Sequence, residues 1–299
     1  MDVLERYADR RGLMAQRNRP RPSKNERTAE AREKARLLQE AHEHRERRTR
    51  FLVRWGVVAA VLAILVIIAL IVVGNIRGQI PDAGPAPAAG NEFGGVVLSS
   101  TTSLVPASVA SVDGESLPES GSSADLPPGI TVSGDDEPVQ IVAYVDVNCV
   151  HCANFEAQHS AQIASWLDAG DVTIEYRNVA YLDRNSQTDY SSRGAAALAC
   201  VADSSPEAYW DFSLALFGNF ENGELSDDGL ADMASSAGAA DISSCLSEGT
   251  FRPFVKYATE AASVHNVGGT PTVYVDGAVV PEPVEGFEAA VADALAAKA

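Results

Sequence analysis

The chain has 299 residues and a formal net charge of −18, a length that allows about two domains and an acidity that argues against nucleic acid as a partner. The charge is unevenly spread. Residues 1–54 hold 16 basic and 9 acidic side chains, and the remainder holds 7 and 32, as expected of a chain whose two parts meet different environments.

Residues 1–25 are polar, with Pro20 and Pro22, and are expected to be disordered. Residues 26–50 (ERTAEAREKARLLQEAHEHRERRTR) are rich in helix formers. Glu30–Lys34 and Glu43–Arg47 are i,i+4 pairs with the acid first, the better orientation. Interleaved acids and the lack of an aromatic platform argue against a nucleic-acid arm, and a topogenic signal with anionic-lipid contact accounts for the basic residues. Residues 55–74 (WGVVAAVLAILVIIALIVVG) carry no charge. A helix of that length spans about 30 Å, the hydrocarbon thickness of a bilayer. Its length favours an uncleaved anchor over a signal peptide, whose apolar core is shorter. Basic residues crowd its N-terminal side and only Arg77 follows closely, so residues 1–54 are expected in the cytoplasm and everything after Gly74 outside.

Residues 75–128 are dominated by Gly, Pro, Ser, Ala and Asp with scattered valines and predict a flexible linker, with 96–112 less polar and capable of a short strand. The folded part is expected over 129–299. Ile130-Thr131-Val132 predicts an edge strand, and 139–147 (VQIVAYVDV) a strand buried on both faces. A helix then starts at Cys149, and 172–179 (VTIEYRNV) predicts the next strand. Residues 192–264 are helical in pattern, broken at Pro206, Gly218–Gly223 and Gly238. Residues 272–280 form a hairpin signature around Asp276-Gly277, which suits a type I′ turn, and 286–296 predict a last helix. The order is β-α-β, a helical block, then β-β-α.

The chemistry concentrates in Asn148-Cys149-Val150-His151-Cys152, where the buried strand gives way to the helix. Two cysteines three apart at a helix start can form a small disulfide, and unpaired N–H groups there stabilise a thiolate on the first sulfur. A thiolate is the species that attacks disulfides, so the placement makes a redox centre. Cys149 is expected toward solvent and Cys152 buried. The competing readings are half of a zinc site, which would need a second ligand pair that does not follow, or an inert bridge. No phosphate loop, Ser/His/Asp order or metal cluster appears elsewhere, so neither a cofactor nor a metal is expected. His159 is expected to be exposed and His265 to end a helix.

Together with Val267-Gly268-Gly269-Thr270-Pro271-Thr272-Val273 and Asp276-Gly277, the cysteine motif resembles that of the DsbA-like branch of the thioredoxin superfamily. Tyr209-Trp210-Asp211-Phe212 and Leu216-Phe217 look like the helix that this branch carries in its insertion. The resemblance covers about 130–295 and implies an α/β thioredoxin-like fold with a helical insertion over about 190–264. It implies Cys149 as the attacking thiol, Cys152 as the resolving thiol and His151 as a stabiliser of the Cys149 thiolate. It further implies a cis Thr270–Pro271 bond, with Val150 and Thr270 touching substrate. Many relatives have Pro where this chain has Val150, and Ala143 stands where DsbA has a buried acid, leaving Asp146 as a candidate proton acceptor.

Four cysteines allow three pairings. With Cys149 and Cys152 a local pair, Cys200 and Cys245 are either bridged within the helical block or two buried free thiols. An oxidising exterior, and the second bridge of some actinobacterial DsbA-like proteins, imply the bridge. The function implied is a membrane-anchored, extracytoplasmic thiol–disulfide oxidoreductase oxidising secreted or cell-envelope proteins, reset by a DsbB- or VKOR-like quinone reductase in the same membrane. A reductase or isomerase, and a tethered binding or chaperone module with an inert bridge, are the alternatives.

Overall fold

The computed structural model describes residues 24–78, 80–107, 109–117 and 126–298, with the side chains of 68–78 and of much of 24–31 and 41–50 outside that description. Two compact units result, one ending at Gly78 and the other running from Gln79. In the first, Lys24–Gly78 forms a single helix, α1. Arg36 Nε meets Glu40 Oε1 at 3.2 Å on it, an exposed pair of the kind that contributes little. The expected pairs Glu30–Lys34 and Glu43–Arg47 each include a side chain outside the description, where residues 1–23 also lie. Among the described residues no helix is long and apolar enough to cross a membrane; the last seven residues of the 55–74 run have no described side chains.

In the second unit the strands are β1 (Ala83–Pro85), β2 (Val96–Ser100), β3 (Ser103–Leu104), β4 (Ser111–Asp113), β5 (Val139–Val145), β6 (Val172–Asn178), β7 (Thr272–Val275) and β8 (Ala278–Val279). The helices are α2 (Val150–Ala169), α3 (Tyr190–Ser204), α4 (Tyr209–Gly218), α5 (Asp227–Ser236), α6 (Ser243–Glu248), α7 (Arg252–Val264) and α8 (Pro283–Lys298). Six strands form one sheet in the order β3-β2-β6-β5-β7-β8, with β5 and β6 parallel and the other neighbours antiparallel. β1 and β4 pair separately.

β5 lies at the centre because both its faces are apolar. Ile141, Ala143 and Val145 join the core with Phe155, Ile163 and Leu167 of α2 and Phe287 and Val291 of α8. Val142 and Tyr144 point the other way, toward Ile130, Val179, Ala262 and Val267, as a two-residue strand period requires. Phe155 and Phe287 meet edge to face at 5.0 Å, fixing α2 against α8. Residues 139–145 therefore carry the predicted strand, and the Asp276-Gly277 turn has both residues at positive φ, 47° and 79°, as a type I′ turn demands.

The insertion packs around α3, which is buried along most of its length. A Cβ on Gly194 would lie 2.7 Å from Val147 Cγ2, so the missing side chain lets α3 approach the strand end that leads to Cys149. Cys200 of α3 and Cys245 of α6 are joined by a disulfide with Cα atoms 6.1 Å apart.

The linker expected over 75–128 is overturned for its described part. Val96, Val97 and Leu98 of β2 pair antiparallel with Tyr176, Glu175 and Ile174 of β6, and Val96, Leu98, Ala89 and Val112 are buried. Composition misled because small residues serve close packing as well as flexibility: a Cβ on Gly95 would meet Glu175 Oε1 at 2.1 Å. Asn91 donates to that same oxygen at 2.9 Å, and the Phe93 ring covers the Arg177 guanidinium at 5.1 Å. The buried Arg177–Glu175 pair, 2.7 Å apart, is thus closed over by the segment preceding the expected domain.

Ile130-Thr131-Val132 is not a strand either. Thr131 donates its N–H to Gln140 Oε1 at 2.8 Å and Ser133 donates to Asp276 Oδ1 at 2.7 Å, so side chains rather than a ladder hold this stretch.

Leu98→Ala should lower stability by about 2–5 kcal/mol, as truncation of a buried leucine does. Thermal unfolding of the second unit is the measurement. A linker residue at this position would leave the melting temperature unchanged.

Candidate functional site

β5 ends at Val145 and the next four residues form a loop that presents Cys149 as the N-cap of α2. Asp146 fastens this loop from beneath. Its Oδ1 accepts the Asn148 N–H at 2.9 Å and its Oδ2 the Leu182 N–H at 2.9 Å. The Asp146 carbonyl accepts the Cys149 N–H at 3.0 Å. Asp146 is fully buried, and burial raises its pKa against the donors Ser191, Asn148 and Leu182, with the nearby Cys149 charge adding to the rise.

Cys149 and Cys152 are unbridged thiols. Cys149 is only 7% exposed and Cys152 not at all, so the expected outward position of Cys149 is corrected. It opens instead into a groove of about 560 Å³ shared with Tyr181, Arg184, Asn266, Gly268 and Gly269. From β7, the Thr270–Pro271 bond is cis, and the Cys149 thiol donates to the Thr270 carbonyl at 3.3 Å. The β5–β7 register, with Ala143 opposite Val273 and Tyr144 opposite Thr272, is what brings a loop from the C-terminal part of the chain over a sulfur from its middle.

The two sulfurs are driven apart in acidity. The Cys152 thiol, which donates to Cys149, lowers the Cys149 pKa from 9.0 to about 5; burial opposes this, while the Thr270 side chain and the backbone N–H groups of Cys152 and His151 add to it. Burial raises Cys152 well above its ordinary value, as do its hydrogen bond to Cys149 and the charge there. An N-cap position without a capping side chain is where helix N–H groups meet an anion.

The His151 side chain is exposed, and its backbone N–H is among the groups that lower the Cys149 pKa. Val150 is 41% exposed beside the sulfur. His159 is buried rather than exposed: its Nδ1 lies 2.9 Å from Glu288 Oε1 and its Nε2 2.8 Å from the Val284 carbonyl, with the ring packed against both Phe155 and Phe287. His265 ends α7, and burial lowers its pKa.

A buried acid does stand near this helix, on α2 rather than at Ala143. Glu156 follows Cys152 by one turn and is buried, and its Oε2 accepts from Tyr176 OH at 3.3 Å. Burial lifts its pKa from 4.5 to about 7, opposed by Tyr176. The i,i+4 spacing from Cys152 was the signal available in the sequence.

A family model described as Thioredoxin matches residues 128–293, more than half of the chain. The chain belongs to the thioredoxin family. The serine/threonine-protein kinase PknE of Mycobacterium tuberculosis is 30% identical over 165 residues, 51% of this chain but 29% of the kinase, so the chain spans less than a third of that relative. Disulfide bond formation protein D of Bacillus subtilis is 28% identical over 155 residues, 49% of this chain and 67% of that protein. Among solved structures, the MdbA thiol-disulfide oxidoreductases of Corynebacterium diphtheriae and Actinomyces oris align with TM-scores of 0.50 and 0.51. Their identities are 21% and 19%, with 72% and 70% of this chain covered and 95% and 92% of theirs. That likeness bears out the thioredoxin-like α/β fold.

Two measurements follow from these acidities. Titration of thiolate absorbance should give a Cys149 midpoint near 5. His151→Ser, which keeps the backbone N–H, should leave that midpoint in place, and Thr270→Val should raise it. An ordinary midpoint near 8.5 would contradict the arrangement.

For Glu156, the folded pKa lies above the unfolded one, so the native state holds a proton that the unfolded chain releases. The stability this confers is complete below pH 4.5 and disappears as pH rises through about 7. Glu156→Gln should therefore stabilise the protein by about 3 kcal/mol at pH 8 relative to wild type and by far less at pH 4.5. Urea unfolding at the two pH values decides it: the same difference at both would show that the acid is not held protonated.

Proposed function

We propose that the protein is a membrane-anchored thiol–disulfide oxidoreductase of the DsbA type that oxidises cysteines of secreted or cell-envelope proteins outside the cytoplasm. The observation that carries this reading is the Cys149 sulfur: a thiol held at about pKa 5 at a helix start, against the Thr270 carbonyl, at the edge of an open groove. The similarity to Disulfide bond formation protein D supports the oxidising direction.

In the oxidising cycle a client thiolate attacks Cys149 Sγ of the Cys149–Cys152 disulfide. The S–S bond breaks, a client–Cys149 bond forms, and Cys152 leaves as a thiolate that takes up a proton, as its raised pKa favours. The client's second thiolate then attacks its own bridged sulfur and expels Cys149, which leaves readily because its thiolate is stabilised. Two electrons pass from the client to the enzyme, and the remaining proton goes to solvent. The same stabilisation favours the dithiol form of the enzyme and makes its disulfide oxidising. Val150, Thr270 and Pro271 border the client, and Cys200–Cys245 serves as a structural bridge in the insertion. A DsbB- or VKOR-like quinone reductase in the membrane would accept the electrons. His151 contributes through its main chain.

The anchor is supported by the 20 uncharged residues from Trp55 to Gly74 between Arg54 and Arg77, long enough to span a bilayer. The excess of basic residues before it places residues 1–54 in the cytoplasm, in contact with anionic lipid. In intact protoplasts, Cys152→Ala should accumulate client mixed disulfides through Cys149, and protease added outside should release them while residues 1–54 stay protected. Adducts that form equally in Cys149→Ala would sink the chemistry, and a protected Cys149 would sink the topology.

A further inference from the structure

The groove beside Cys149 has features that the exchange reaction by itself does not require. Gly268 and Gly269 form part of its lining. Neither stands at a positive φ, and a Cβ built on either would meet nothing within 4 Å. Backbone conformation and internal packing therefore leave glycine unnecessary at both positions. What its absence of side chain preserves is the empty space above the loop.

Along that loop, among the described residues, the N–H groups of Gly268, Gly269 and Thr270 donate to no other group of the protein. An extended segment laid along this loop as an added strand can bond alternate donors of the three.

Arg184 adds the selective element. It lines the groove and is exposed, and it has no hydrogen bond or ion pair among the described residues. The acid next to it, Asp183, is already engaged by the N–H of Ser192 at 3.0 Å and by the Ser192 hydroxyl. Asp146 is buried and taken by its own donors, and Glu224 accepts from the Asn148 amide at 3.3 Å and the Thr188 hydroxyl at 2.6 Å. In an acidic chain, an unpaired guanidinium at the mouth of the groove gives a local preference at odds with the long-range field, which salt screens beyond about 8 Å.

We propose that this groove recognises extended client segments bearing a carboxylate side chain close to the reacting cysteine, paired with Arg184, over the floor that Gly268 and Gly269 leave clear. This deepens the exchange reading and rests on it for the identity of the client. An Arg–carboxylate contact is directional and bidentate, so Asp or Glu is selected over an amide of the same shape.

The test uses the full-length protein in detergent micelles, in its disulfide form, and labelled peptides whose cysteine is replaced by serine so that no exchange occurs. Asp, Asn or Lys is placed in turn at positions flanking the serine, and affinity is read by fluorescence anisotropy. The expected order at the best position is Asp, then Asn, then Lys, with Asp about fivefold tighter than Asn at low salt and the gap narrowing as salt is raised. Arg184→Glu should reverse the order. Gly269→Val should weaken all three peptides alike and leave their order intact. Equal affinities in the wild type, or an order that survives Arg184→Glu, overturn the proposal. Exchange with dithiothreitol is measured in parallel on the wild type. Its absence would refute the exchange reading, while the peptide ranking would still decide what the groove prefers.

Discussion

The contact between Cys149 Sγ and the Thr270 carbonyl, 3.3 Å long and 121 residues apart in sequence, exists only if the sheet closes in register. β5 delivers the cysteine from one side and β7 delivers the loop from the other. A one-residue slip between them would turn every side chain of β7 to the opposite face and carry the loop away from the sulfur. The apolar continuity of Val139–Val145 and the anchoring of Val273 and Val275 in the same core therefore act on the chemistry: the burial that fixes register also fixes the position of the oxygen against the sulfur.

The elements bordering the cysteines were legible because each carried a signal of its own. Val139–Val145 is apolar on both faces, Cys149 stands where a strand pattern turns helical, and Asp276-Gly277 is a turn dipeptide with both residues in the left-handed region. β2 was not legible. Its Val96 and Leu98 are buried only because β6, α2 and the Arg177–Glu175 pair lie against that part of the chain, and a Gly- and Pro-rich neighbourhood gives no hint of such partners. His159 went astray for a related reason: its ring packs against both Phe155 of its own helix and Phe287 of α8, and the second contact exists only in three dimensions. Glu156 and Arg184 were in plain view as letters, yet what distinguishes them is burial in one case and the lack of a partner in the other.

Two features hold the helical insertion against the redox centre without touching the sulfurs. Gly194 permits α3 to sit against Val147, two residues before Cys149, and the Cys200–Cys245 bridge ties α3 to α6. An added methyl group at 194 would press on the strand end and be felt at the helix start, because close-packed interiors transmit displacement rather than absorb it. The centre is thus positioned from both sides, by β7 through hydrogen bonding and by α3 through contact.

The antiparallel pairing of β2 with β6, Val96 opposite Tyr176 and Leu98 opposite Ile174, has a consequence for biogenesis. Chains emerge from the ribosome N-terminus first, so β2 appears well before the strand that will bury it and travels for a time as an unpaired apolar edge, the kind of surface that holdase chaperones cover. The sheet cannot be completed until β7 follows, and with it comes Thr270, one of the groups that acidify Cys149. A nascent chain accordingly carries two ordinary cysteines. Their unusual reactivity is acquired late, once the C-terminal strands have arrived, which spares the unfinished protein from bonding to its neighbours.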